Sequence, residues 1–337
     1  MQTRVLLTVD TELTSRHYRR GASWHENLAR SYDPAGVGIP YQLQVLAAHK
    51  LRACFFVDPM PALLYGIEPV RRMVEPILEA GQEVQLHLHP FWHGKAVGRP
   101  PVYELNACGL AEQRDLIGTA RRLLMEAGAP APVAFRAGGY AANADTLAAL
   151  AALGIRYDSS HNGSHHPWPS ALPLDPERID PIRLQGVVEI PVTQIQKRGG
   201  GLRHLQICAV SAREMEAALR HADARDHSLV TIVSHSFELA TRDGLRPNKV
   251  IQRRFERLCA FLADRRGTMS TTSFASLPEL KLEGGAEPLP ASRLREVGRV
   301  VEQIWSDGRY EHAGKTEPAL ASSSVIGAEL LLQYIAQ

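Results

Sequence analysis

The chain has 337 residues, 45% hydrophobic and 22% charged, and its 38 Lys and Arg stand against 36 Asp and Glu for a formal net charge of +2. That near-balance excludes the strongly basic character of a nucleic-acid or membrane-surface protein, and the length suits one large α/β domain plus an appendage, acting on a small partner. No apolar run reaches the ~18 residues of a membrane span, and the one after Met1-Gln2-Thr3-Arg4 is too short for a signal-peptide core, so the sequence reads as that of a cytoplasmic enzyme.

Short β-branched or apolar runs alternate with longer helical patterns, the arrangement of repeated βα units around a parallel sheet or barrel. The first run, Val5-Leu6-Leu7-Thr8-Val9, closes in Asp10-Thr11-Glu12. The stretch from Ser15 to Pro40 is polar and aromatic, with Arg16, His17, Tyr18, Trp24 and His25, and reads as a loop over a site. Further runs begin at Ala53-Cys54-Phe55-Phe56-Val57 and at Glu83-Val84-Gln85-Leu86-His87. Leu110 to Ala127 repeats apolar residues every three or four positions and is expected to be a helix. Runs at Val133-Ala134-Phe135-Arg136, Ile155-Arg156-Tyr157 and Val187-Val188-Glu189-Ile190 follow, then a helical pattern from Ser211 to Ala222. Leu229-Val230-Thr231-Ile232-Val233, a helix over Lys249 to Ala263, and Met269-Ser270-Thr271-Thr272 complete the series. Gly81, Gly128 and Gly154 stand where helices would be capped before the next strand.

Residues 1–282 therefore read as one α/β barrel. Glu283 to Pro290, rich in Gly and Pro, reads as a linker, and 283–337 as a helical extension. Its amphipathic patterns, Ser292 to Trp305 and Ser323 to Ile335, are suited to packing on the main domain or on another copy of the chain.

Cys54, Cys108, Cys208 and Cys259 are widely separated, with no C-x-x-C pair, and are expected to be free thiols. The 14 histidines crowd in His87 to His93 and in His161 to His166, which raises metal chemistry as a question. In parallel βα folds the reacting groups gather where strands end. Polar residues close the strands at Asp10 and Glu12, at His87 and His89, at Arg136, at Asp158 and at His235. The i, i+2 spacing puts His87 and His89 on one side of an extended strand, able to offer two nitrogens to one ion. Asp10 and Glu12 share that spacing, so one can ligate while the other acts as a general base. A lone strand-end acid is commonly a cap and a lone buried His is commonly just hydrogen-bonded, but both pairs occur at strand ends of one βα array.

These residues resemble the motifs of the polysaccharide deacetylase, or NodB-homology, family, also called carbohydrate esterase family 4. The resemblance runs from about Thr3 to Leu280: Thr8-Val9-Asp10-Thr11-Glu12 is similar to the first motif, and Phe55-Phe56-Val57 to the second strand. Gly81 to His87 is similar to the stretch leading into the metal histidines, and Phe135-Arg136-Ala137-Gly138-Gly139-Tyr140 to the Arg motif. Gly154-Ile155-Arg156-Tyr157-Asp158-Ser159-Ser160 resembles a segment of bacterial exopolysaccharide members, and Val233-Ser234-His235 the last motif. The resemblance implies a distorted (β/α) barrel of about seven strands, a divalent metal, zinc first among them, and hydrolysis of an N-acetyl group from an amino sugar in a saccharide. It implies Asp10 as the base that activates water, Arg136 as its orienter, His235 as the acid, and a backbone N–H near Gly139 or Tyr140 stabilising the oxyanion.

Two departures stand out. Thr11 replaces the family's second metal-binding Asp, leaving Glu12 as the nearest acid, and Phe91 falls where the second histidine of a His-x-x-x-His pair would lie. His89 and His93 have that spacing, yet His-Leu-His-Pro-Phe-Trp resembles a branch with His-Leu-His-Pro-Trp, which makes His87, His89 and Glu12 the expected ligands and His93 the reserve. Because of these departures, two other readings stay open: an enzyme of this fold opening a formamide or cyclic ureide without a tightly held metal, and a non-catalytic saccharide-binding barrel.

Asp158 is a candidate to orient His235, or a turn residue. Trp24, Trp92 and Trp168 are candidates to stack on sugar rings, Trp92 first, with Tyr140 a further substrate-binding candidate. His161, His165 and His166 read as a solvated loop rather than a second ion site. Lys197-Arg198-Gly199-Gly200-Gly201 reads as a mobile loop rather than a phosphate cradle.

Overall fold

The computed structural model describes residues 2–311. Strand β1 (Thr3–Thr11) is followed by helices α1 (Ser15–Arg19), α2 (Trp24–Ser31) and α3 (Ile39–Ala48). Strand β2 (Cys54–Val57), α4 (Ala62–Tyr65) and α5 (Glu68–Glu79) lead to β3 (Glu83–Leu88), α6 (Phe91–Ala96) and α7 (Leu110–Glu126). Next come β4 (Ala134–Ala137), α8 (Ala144–Ala152), β5 (Tyr157–Asp158), β6 (Ile182–Leu184) and β7 (Val187–Glu189). A hairpin of β8 (Gln194–Gln196) and β9 (Leu202–His204) precedes α9 (Ala212–Ala224), β10 (Leu229–His235), α10 (Lys249–Asp264), β11 (Met269–Thr272) and α11 (Arg293–Ser306).

Seven parallel strands form the sheet path β10-β1-β2-β3-β4-β5-β7, with β6 antiparallel outside β7 and β11 parallel beside the first half of β1. The gap from β7 back to β10 is bridged by the chain between them. Thr193 N–H donates to Thr231 O (3.2 Å), Ile207 N–H to Val233 O (3.1 Å) and Val233 N–H to Leu205 O (2.9 Å). The sheet is thus curled into a distorted (β/α) barrel with a helical C-terminal part, as expected from the sequence.

The strand sequences divide by twos between the two faces of the curl. Val5, Leu7 and Val9 of β1, Phe55 and Val57 of β2, Leu86 and Leu88 of β3, and Phe135 and Ala137 of β4 pack in the main core with the helices. Leu6, Cys54, Phe56, Ala134 and Leu229 join Phe274 in a separate inner cluster, where Phe56 and Phe274 meet edge to face at 5.4 Å. Above this apolar floor the inward positions turn polar, with Thr8 and Asp10 following Leu6, His87 following Gln85, and Arg136 following Ala134, all buried. Strands covered on both faces carry near-continuous apolar runs, which is why they were visible in the sequence.

Gly81, Gly128 and Gly154 have positive φ (68°, 103° and 71°) just after α5, α7 and α8, the left-handed conformation that ends a helix. Cys54, Cys108, Cys208 and Cys259 are free. Among the described residues no helix is long and apolar enough to cross a membrane.

One expectation needs correction. The stretch from Ser15 to Pro40 is no loop: it contains α1, α2 and the start of α3. A capping box starts α2, with Ser23 Oγ accepting from Glu26 N–H and Glu26 Oε2 from Ser23 N–H, and buried Asn27 and Ser31 bond to Thr14, so the polar residues are structural. Lys197 to Gly201 is the turn of the β8–β9 hairpin, closed by Lys197 N–H donating to Gly201 O (3.0 Å), its three glycines at positive φ. The 283–290 segment lies along the barrel, with Glu283 N–H bonded to Pro181 O, Gly285 N–H to Asp180 Oδ2 and Leu289 paired with Ile195. Helix α11 then docks through Glu302 to Arg254 (2.6 Å) and buried Ser306 to Asn248 (3.1 Å), while the Ser323 to Ile335 pattern lies outside the described residues.

Phe55 is fully buried at the centre of the main core. Phe55→Ala is expected to lower the unfolding free energy by ~3–5 kcal/mol in urea denaturation, whereas Leu294→Ser, at an exposed position of α11, should change it by under about 0.5 kcal/mol.

Candidate functional site

Strand register sets the first level of the site. Asp10 of β1 lies opposite His235 of β10, and His87 of β3 opposite Arg136 of β4, all at the C-terminal ends of parallel strands. Arg136 is fully buried. Its Nη1 donates to Asp10 Oδ1 (2.7 Å) and Thr8 Oγ1 (2.9 Å), its Nε to Ser159 O (3.0 Å) and its Nη2 to Ser159 Oγ (3.1 Å). The guanidinium also lies 4.4 Å above the Phe56 ring centre. One carboxylate oxygen of Asp10 is therefore tied down, and the other, Oδ2, lies 3.8 Å from His235 Nε2.

Beside it Glu12 Oε2 contacts His89 Nε2 and lies 3.7 Å from His87 Nε2, and the three potential ligand atoms fall within 4.8 Å of one another. His87 Nδ1 is 2.8 Å from the Arg136 carbonyl oxygen, so it must carry the proton and donate, leaving the Nε2 lone pair turned to the cluster. His89 packs on the backbone of Gly138, where any Cβ would overlap the imidazole. Two neutral-capable imidazoles and one carboxylate with an open side suit a divalent transition metal, so this donor set fits zinc. Burial works against charge on Glu12, but His89 and His87 outweigh it and hold the carboxyl at about 2. His89 is pushed down by burial and lifted further by Glu12 and Asp58, to about 9, whereas burial holds His87 at about 4. His93 lies in α6 and is not one of the three.

Asp58 was missed by the sequence reading. It closes β2, is fully buried, accepts Met60 N–H at Oδ1 (2.9 Å) and has no hydrogen-bond partner at Oδ2. Burial raises its carboxyl to about 7 against the pull of His89. Its signal was the one used elsewhere, an apolar run closed by a polar residue.

The reading of Asp158 as the partner of His235 is corrected. Asp158 accepts from Ser160 Oγ (2.6 Å) and pairs along the sheet with Glu189; both carboxyls are fully buried and pushed up by that burial. The acid beside His235 is Glu238, three residues on, which accepts His235 N–H at Oε2 (2.9 Å) and lies 3.9 Å from Nδ1. Glu238 Oε1 also accepts from Gln206 Nε2 (2.8 Å) and Cys208 N–H (2.9 Å), and Gln206 Nε2 is 3.2 Å from His235 Nδ1. Burial disfavours the charged ring, yet Glu238 and Asp10 lift His235 to about 9, while the same contacts hold Glu238 at about 2 against its own burial.

Tyr140 is buried with no hydrogen-bond partner for its hydroxyl, and it follows Gly139 in a turn where both residues have positive φ (63° and 60°). Trp92 lines the cleft in front of Glu12 and His89 but is packed over most of its surface. It is 1% exposed, because α6 begins at Phe91 and turns the indole into Tyr18 (5.5 Å) and Tyr65 (6.3 Å). The cleft of about 250 Å³ in front of Glu12 and His89 is also lined by Phe91, Phe237 and Tyr103, of which Tyr103 is 44% exposed. Trp168 is exposed in the loop after β5, and Trp24 stacks on His25. His161 is fully buried rather than solvated, bonded through Nε2 to Asp175 O, while His165 lies against Tyr140 and His204.

No protein-family model matches the sequence, and no curated protein matches it significantly. Among solved structures, a Mycobacterium smegmatis protein assigned as a polysaccharide deacetylase has 20% identity over 83% of this chain and 95% of its own, with a TM-score of 0.50. A 4-alpha-glucanotransferase of Thermococcus litoralis has the same TM-score of 0.50 at 10% identity, over 81% of this chain and 40% of its own. A family 4 carbohydrate esterase of Streptomyces lividans, solved with acetate, has 15% identity and a TM-score of 0.41, over 86% of this chain and 98% of its own. The likeness to the first two structures establishes the fold alone, and chemistry has to be read from the site.

The His235 environment can be tested directly. In NMR titration of the metal-free protein the His235 ring is expected to titrate near 9, and Glu238→Gln should move it at least one unit lower. Because the folded value lies above the ordinary 6.5, the ring stabilises the fold fully below that pH, and the contribution disappears as pH rises through about 9.

Proposed function

We propose that this chain is a polysaccharide deacetylase of the NodB-homology type: a hydrolase that removes an N-acetyl group from an amino sugar in a saccharide, with a divalent metal, zinc first among candidates. The single observation that carries the reading is the position of Asp10 Oδ2. Arg136 immobilises the other oxygen, and Oδ2 lies beside His235 Nε2 and next to the Glu12, His87 and His89 donor set.

In this reading Glu12, His87 and His89 hold the metal; bound there, it would polarise the acyl carbonyl and make water more acidic. Asp10 takes the proton from the attacking water, and Arg136 keeps its carboxylate aimed in a dry site. Gly139 and Tyr140, both left-handed, bring backbone N–H groups close to where the oxyanion forms. As the carbon–nitrogen bond breaks, His235 gives the Nε2 proton to the departing amine, so that water and amide become acetate and free amino sugar. Glu238 holds the ring for that transfer and, with Asp10, keeps it protonated at neutral pH. The unpartnered Tyr140 hydroxyl, already buried, is suited to a polar group of the substrate.

Acetate release from N-acetylated oligosaccharides tests the reading. Asp10→Asn is expected to lower kcat by ~10²–10⁴ in a protein that remains folded by circular dichroism. Glu12→Gln should weaken zinc binding at least tenfold in chelator competition. Purified protein that contains no zinc, cobalt or nickel and is indifferent to EDTA would sink the metal assignment and favour the metal-free ureide or formamide chemistry.

A further inference from the structure

Next to the catalytic cleft lies a second cavity of about 390 Å³, which shares Thr14, Arg16 and Phe237 with it and is floored by Glu238. Its walls bring together arginines from separate parts of the chain: Arg16 of α1, Arg30 of α2, Arg203 of β9, Arg242 after β10 and Arg299 of α11. The volume lies in the range of small-molecule sites. Among the described residues Glu238 and Asp307 alone line it with negative charge, and both oxygens of Glu238 are already engaged by Gln206, Cys208 N–H and His235 N–H. Among the described residues neither Arg30 nor Arg203 forms an ion pair. Arg299 is only loosely offset, its Nε 3.5 Å from Glu214 and its Nη2 4.0 Å from Glu296.

A second, independent feature points into the same space. His17, 3% exposed, lines the cavity, and its Nδ1 has no hydrogen-bond partner. Burial together with Arg16, Arg30 and Arg20 holds the ring at about 4, so it is neutral and adds an uncharged polar group to a field of cations. The crowding of like charges is felt at Arg203 too, which burial and Arg299 push below its ordinary value. Arg30 and Arg203, with no ion pair of their own among the described residues, stand in a wall of like charge, and a ligand of negative charge would relieve that repulsion. A single carboxylate neutralises one of them. A phosphate or diphosphate carries more charge on several oxygens, and the planar donor fork of arginine matches that geometry.

We infer that the arginine cavity binds a phosphate or diphosphate group attached to the amino sugar, which makes the substrate a sugar phosphate or diphosphate rather than a neutral polymer. The inference rests on the deacetylase reading for the sugar, but not for the anion site. The anion would enter beside Phe237 while the acyl group occupies the adjoining cleft in front of Glu12 and His89, and α11, through Arg299, belongs to the binding site. Nucleotide-linked and polyprenyl-linked sugars share this diphosphate chemistry.

Calorimetric titration of the full chain with inorganic pyrophosphate reads the cavity without any turnover. Sub-millimolar binding is expected, at least tenfold weaker in Arg30→Gln/Arg203→Gln and partly retained in Arg30→Lys/Arg203→Lys, with melting temperatures monitored to establish that the variants fold. No binding by the unaltered protein, or equal binding by the folded Gln variant, overturns the inference. In a separate arm, acetate release is compared for N-acetylglucosamine 1-phosphate, its uridine-diphosphate and polyprenyl-diphosphate conjugates, and a neutral N-acetylglucosamine oligomer. At least a tenfold higher kcat/KM for the phosphorylated substrates, lost in the Gln variant, supports the inference, and the better of the two conjugates identifies the source. Equal rates on charged and neutral sugars overturn it. If no sugar is deacetylated, the deacetylase reading fails and pyrophosphate binding alone decides the anion site.

Discussion

The ion pair between Arg136 and Asp10 organises the rest of the site. A fully buried guanidinium must place its donors, and Arg136, on β4, does so on two other segments: Asp10 and Thr8 of β1, and the Ser159 backbone and hydroxyl just after β5. Its carbonyl also receives the Nδ1 proton of His87 on β3. One residue thus aims the carboxylate, sets a histidine tautomer and ties neighbouring strands at a common height. Removing either partner would strand a charge in a dry interior, a cost of several kcal/mol, which couples the geometry of the site to the integrity of the barrel.

Much of this was legible in the sequence because it follows from period-two alternation. Once Val5 to Val9 is a strand, Asp10 and Glu12 must point the same way, and the parallel order of βα units brings them to one end with His87, His89, Arg136 and His235. Less legible were the residues whose roles depend on angles between elements. Nothing in Trp92 reveals that a helix begins one residue earlier and rotates the indole into the core. Nor does Asp158 show that its neighbour on the next strand is Glu189, while Glu238 reaches His235 by the turn after β10. The Ser15 to Pro40 stretch misled because its polar side chains serve caps and buried hydrogen bonds, which composition alone cannot tell from solvation.

The barrel interior is graded. The inward positions of β1 and β4 run from apolar residues near Phe56 and Phe274 to charged ones at the C-terminal ends, so the candidate site stands on a floor that excludes water from below. That floor explains why several ionisable groups there sit far from their ordinary pKa values, with burial and neighbouring charge pulling in opposite directions. What distinguishes this chain is the side chains planted at the rim.

Strand β1 has a further consequence that concerns time rather than geometry. One of its edges pairs along almost its whole length with β10, and the other is shared by β2 and β11. The strand that carries Asp10 and precedes Glu12 is made first, yet two of its three partners lie more than 200 residues downstream. Pairings of such sequence separation are slow to form, so during synthesis the first strand must wait, its apolar run incompletely covered, until nearly the whole barrel has left the ribosome. The end of the barrel that carries the candidate site is therefore among the last parts to be assembled, and an incomplete chain would carry the residues of the site without the site.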